Sequence, residues 1–85
     1  MMEYEISDHA KEAMEDDKIN EEEVKQCLEH GGLQIKEIVH GETRYGKQLE
    51  LKDKKLMVIY TIRGEIYRVI TAYTIQRKQT WQAKN

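Results

Sequence analysis

Apolar residues recur every three or four positions up to Gly31-Gly32 and close to every second position after it, so the chain divides there into a helical and a strand-forming part. Asn20 stands three residues before Glu23, the spacing of a capping box, with Ile19 and Val24 at the hydrophobic-staple positions around it. Glu21, Glu22 and Glu23 put carboxylates against the exposed amides of a first turn, where the helix dipole favours them. Val24, Cys27, Leu28 and Gly31 follow i, i+3, i+4, i+7 and define one narrow buried stripe. This helix is expected to stop at Gly31-Gly32 through a left-handed residue, which glycine tolerates. Upstream, Ser7 or Asp8 caps a shorter helix running to about Glu15, with Ala10, Ala13 and Met14 on one face. So short a helix does not persist alone in water and must lie on something larger. Asp16-Asp17-Lys18 joins the two into a helical hairpin over residues 7–31.

Four strands are predicted after the glycine pair. Leu33 to Val39 is β-branched and apolar and ends at a turn containing Gly41. Arg44 to Lys52 alternates, with Tyr45, Lys47, Leu49 and Leu51 on one face and Arg44, Gly46, Gln48 and Glu50 on the other. Leu56 to Ile62 is apolar on both faces except at Thr61, the pattern of a central strand. Arg63-Gly64-Glu65 turns the chain into a long last strand from Ile66 to Arg77. The resulting expectation is an α+β domain, α-α-β-β-β-β, with the N-terminal helical hairpin packed on a four-stranded antiparallel sheet over residues 33–77 and a tail at 78–85 holding Trp81. Helices on one face leave the second apolar set of the central strand to meet a ligand, the tail or another subunit, which makes a homodimer one expected outcome.

Composition narrows the class. Eighty-five residues suit one domain, residues 1–85, and 39% hydrophobic with 35% charged residues excludes a disordered tail. No apolar run approaches the roughly 20 residues of a membrane span, and the acidic N-terminus lacks a signal-peptide layout, so a cytoplasmic protein with no membrane contact is expected. The single Cys27 excludes an intramolecular disulfide framework and a cysteine-based zinc cage. His9, His30 and His40 lack paired ligand spacing, and Gly31-Gly32 follows a helix, the wrong context for a phosphate loop. No metal and no cofactor are expected. The net charge of −2 conceals a partition: up to Thr43, 4 lysines against 13 carboxylates give −9, and from Arg44 onward 10 basic residues against 3 carboxylates give +7. Such asymmetry prompts a nucleic-acid partner, and is read first as two halves that attract each other within one fold or as lysines that guard strand edges.

Several segments together resemble a known family. Ser7-Asp8-His9-Ala10, Met14, Ile19 with Glu23-Val24, and Leu28 to Gly31 are similar to the N-terminal half of a small uncharacterised prokaryotic domain family grouped near the RelE/ParE-like and BrnT-like toxins. Arg44-Tyr45-Gly46, Leu56 to Tyr60 and Val69 to Tyr73 are similar to its second half, and the likeness spans Ile6 to Lys78. Where that family often carries arginines, after its His-Ala pair and before its isoleucine, this chain has Ala13 and Asp17. The resemblance implies a compact α+β fold whose sheet offers a basic groove. In the toxin branches it implies RNA binding, commonly on the ribosome, metal-independent cleavage in some members, and a small antitoxin protein as partner.

Metal-independent RNA cleavage needs a base for the 2′-hydroxyl, an acid for the leaving oxygen and cations for the phosphate. His9, Tyr60, Arg68 and Tyr73 are the catalytic candidates. An imidazole titrates in the useful range, a phenol donates a proton, and Arg68 interrupts an apolar set, where it needs either Glu50 across the sheet or a phosphate. Arg44, Lys47, Arg63, Arg77 and Lys78 are the RNA-binding candidates, with Arg44 and Lys47 on opposite faces unless a bulge at Gly46 re-aims the chain. Each candidate has a structural alternative: a first-turn histidine satisfies a carbonyl, and tyrosines at strand spacing fill a core with their hydroxyls wet. The competing function is a non-enzymatic protein-binding or homodimeric module.

Overall fold

The computed structural model describes residues 3–75; Arg77, Lys78 and Trp81 lie outside the described residues. The chain runs β1 (Glu3–Ile6), α1 (Asp8–Asp16), α2 (Glu21–His30), β2 (Gly32–Val39), β3 (Glu42–Glu50), β4 (Lys55–Arg63) and β5 (Ile66–Ile75). The architecture is α+β, but the sheet has five strands in the order β1-β5-β4-β3-β2 and is mixed, because β1 runs parallel to β5. Helices-first order and a purely antiparallel four-stranded sheet are therefore corrected. The reason lies in β1, whose four residues include only Tyr4 and Ile6 as apolar positions. So short an alternation gives no periodic signal, and its partner Arg68 stands 63 residues further on.

Local signals set both helices. The Ser7 hydroxyl caps α1 by accepting the Ala10 N–H at 3.1 Å. Asn20 and Glu23 form the complete capping box of α2: Glu23 N–H donates to Asn20 Oδ1 at 2.8 Å, and Asn20 N–H to Glu23 Oε1 at 3.0 Å. The far end of α2 differs from expectation. Gly31 is extended, with φ −71° and ψ 161°, and not left-handed. Glycine is required there for closeness: a Cβ would stand 2.6 Å from the Cys27 carbonyl and 2.9 Å from that of Gln48, so α2 ends directly against β3.

The core fills the space between the helices and one face of the sheet. Ala10 and Met14 from α1 and Val24, Cys27 and Leu28 from α2 meet Leu56, Val58 and Tyr60 of β4 and Val69 and Ala72 of β5. Helix α1 packs on β5, and α2 lies over β3 and β4. An irregularity in register at Ile59/Tyr60 lets both Val69 and Ala72 reach this core. Beyond Val69, α1 takes over from β1 along the outer edge of β5. Ser7 N–H donates to Val69 O at 3.1 Å, and the Asp17 carboxylate accepts the Thr74 N–H at 2.9 Å and its hydroxyl at 3.2 Å. Among the described residues no helix is long and apolar enough to cross a membrane.

Candidate functional site

Strand alternation gives the sheet a second face that carries neither helix. Gln48 pairs with Met57 and Gly46 with Ile59, and Met57 pairs in turn with Tyr73, so these side-chain positions share that open face. Gly46 is buried because Ile35 and Ile59 close over it: an added Cβ would stand 3.0 Å from a carbon of each. The open face thus has an apolar strip at its middle, with Met57 buried and Tyr73 exposed beside it.

A polar row crosses the same face one step along. Glu37 pairs with Arg44, Thr61 with Arg68 and Arg68 with Glu5, while the Tyr45–Tyr60 pair sets Arg44 beside Thr61. Thr61 is buried, and its hydroxyl donates to Thr43 O at 2.8 Å. Arg68 Nη1 lies 2.5 Å from Glu5 Oε2. The expected carboxylate partner of Arg68 is therefore present, but it is Glu5 on β1 and not Glu50, since β1 is the strand beside β5. Arg63 Nη2 pairs with Glu42 Oε2 at 3.1 Å. Arg44 differs from both: its Nε is buried and has no hydrogen-bond partner among the described residues. A buried guanidinium N–H left without an acceptor is costly, and an incoming anion relieves that cost.

The helix-covered face holds the rest. Tyr60 is buried between Tyr45 and Tyr67, with ring centroids 5.4 and 5.3 Å away. Burial first, and its tyrosine neighbours next, push its phenol up to about 12. Lys47 Nζ stands 5.8 Å from the Tyr60 ring centre and donates to Leu28 O at 2.7 Å, in the last turn of α2. Cys27 donates from its thiol to Lys47 O at 3.3 Å, and burial pushes that thiol up to about 11, so it is inert as a nucleophile.

Of the four catalytic candidates, the structure brings only Arg68 and Tyr73 to one face. Tyr60 lies on the opposite side of the sheet under α2, and His9 is exposed in the first turn of α1. The RNA-binding candidates divide likewise: Arg44 and Arg63 belong to the open face, and Lys47 is committed to α2. The pairing of β3 with β4 runs unbroken through Gly46, so no bulge unites Arg44 with Lys47. Glu5 and Thr61 complete the polar row without having been singled out. The lone hydroxyl of Thr61 in an apolar strand was a usable signal, whereas Glu5 had none while β1 was unseen. Among the described residues no group of three or more His, Cys, Asp and Glu side chains could hold a metal ion. A cleft of about 560 Å³ between Asp17-Lys18 and the β3–β4 turn shares no residue with the polar row.

A family model described as a domain of unknown function (DUF4258) matches residues 6–74, more than half of the chain. No curated protein matches it.

Proposed function

We propose that this chain, which belongs to the DUF4258 family, is an RNA-directed domain of toxin-like type that binds its RNA on the open face of the sheet. The observation that carries this reading is Arg44, a buried N–H without an acceptor beside Thr61 and Arg68. Arg44 is only half-buried as a residue, so a shift of its guanidinium toward a phosphate oxygen gives that N–H an acceptor. The ion pairs of Arg63 and Arg68 are partly exposed, and exposed pairs are worth only about 0–1 kcal/mol, so a phosphate exchanges readily with their carboxylates. Tyr73 on the same face offers a ring for base stacking. Binding without strand scission is the proposed activity, because His9 and Tyr60 stand away from Arg68 and Tyr73.

A fluorescein-labelled single-stranded RNA of mixed sequence, followed by anisotropy, tests this. With Arg44, Arg63 and Arg68 each meeting a phosphate, log affinity falls with log salt at a slope of about −2. Arg44→Gln is expected to weaken binding about tenfold and to make that slope shallower by about 0.7. Equal affinity of Arg44→Gln and the parent chain sinks the proposal. The apolar strip of Ile35, Ile59 and Met57 favours a second reading, a protein partner on the same face, whose binding is flat with salt.

A further inference from the structure

The sheet treats its edges unequally. On one side β1 is only four residues long and carries Glu3 and Glu5, and α1 covers β5 beyond it through Ser7 and Asp17. Short, charged or covered edges are the usual protection against strand addition. The other edge is β2, eight residues from Gly32 to Val39, and no described strand or helix pairs with its outer side. Its amides and carbonyls line an edge about 27 Å long. Leu33 and Ile38 lie along it, 52% and 75% exposed, and Ile38 is the most exposed large apolar side chain of the described residues. Both project on the helix side of the sheet, opposite Lys47 and Thr43 of β3, where α2 covers β3 and β4 and leaves them open.

We infer that the outer edge of β2 receives an extended segment of another protein as a sixth strand. That segment sets apolar side chains against Leu33 and Ile38, and carries a carboxylate opposite Lys36 and a cation opposite Glu37. Charge decides between this occupant and a second copy of the chain. Two β2 strands related by a two-fold axis pair antiparallel about one residue. Centred on Lys36 or on Glu37, they set that charge against its own copy, which is destabilising. Centred on Leu33, Gln34 or Ile35, the ladder runs into the irregularity between Leu33 and Ile35; centred on Ile38, it keeps only residues 37–39 of each strand. A foreign strand sets no charge against its own copy and can carry a matching irregularity across Leu33 and Ile35, and Lys36 and Glu37 then fix its register. Glu37 also borders the polar row through Arg44, but Leu33, Lys36 and Ile38 project on the helix side, so a change at Ile38 tests this edge apart from RNA binding.

The probe is a labelled nine-residue peptide with valines set opposite Leu33 and Ile38, glutamate opposite Lys36 and lysine opposite Glu37. Its partner in the test is a peptide with those two charges exchanged. Titration by anisotropy and amide hydrogen exchange are read together. The expected result is saturable binding that protects amides within residues 33–38, weakened about tenfold by exchanging the charges and about tenfold by Ile38→Lys, with RNA affinity unchanged in that variant. Absence of binding, equal binding of the two peptides, or protection that falls elsewhere overturns the inference. A free chain that sediments as a dimer, and as a monomer after Ile38→Lys, overturns it in favour of a second copy.

Discussion

Cys27 and Tyr60 hold their protons more tightly in the folded chain than their ordinary values of 9.0 and 10.0, at about 11 and about 12, because burial disfavours both anions. Their contribution to stability is complete below about pH 9 and is lost as the pH rises through 9 to 12. Urea unfolding at about pH 8 and about pH 10.5 is expected to show lower stability at the higher pH, and the double variant Cys27→Ala, Tyr60→Phe to flatten that difference. Gly31 is constrained in another way, by two carbonyl oxygens that leave no space for a methyl group. Gly31→Ala is expected to cost about 1–3 kcal/mol in the same assay, as overpacking does. Lys47 shows why residue type alone misleads. Its charge looked available for phosphate, yet the ammonium ends at the Leu28 carbonyl beneath α2.

At the scale of elements, what local chemistry specifies was legible in advance. The Asn20–Glu23 box, the Ser7 cap and the alternation of β3 follow from neighbours in the chain, and so did the placement of Arg44 and Lys47 on opposite faces. What depends on distant register was not. The parallel pairing of β1, the irregularity at Ile59/Tyr60 and the choice of Glu5 as the partner of Arg68 each require knowing which strands meet. The Asp17 contact belongs to this second group: a residue that reads as hairpin connector is the clamp between α1 and the end of β5. Asp17→Ala is expected to cost about 1.5–3 kcal/mol, the range for hydrogen bonds to a charged group. Faster amide exchange at Thr74 distinguishes loss of this clamp from general loosening.

Across the whole molecule, the partition of charge is resolved in part within the fold. Glu5–Arg68, Glu42–Arg63 and Glu23–Lys54 each join a carboxylate from the acidic half to a cation from the basic half. Among the described residues the attraction between halves is thus a matter of strand neighbours and one helix-to-turn contact, with Arg44, Lys47, Lys52 and Lys55 outside those three pairs. The pairing of β1 with β5 joins segments more than sixty residues apart, and closing so long a loop is entropically unfavourable until the rest of the sheet exists. This strand is therefore expected to dock after the rate-limiting step. Glu5→Ala should speed unfolding and leave the folding rate near that of the parent chain in stopped-flow mixing. During synthesis the same geometry imposes a wait: β1 leaves the ribosome before any other strand and finds its neighbour only once β5 has been made, so the most N-terminal piece of the sheet is the last to be sheltered.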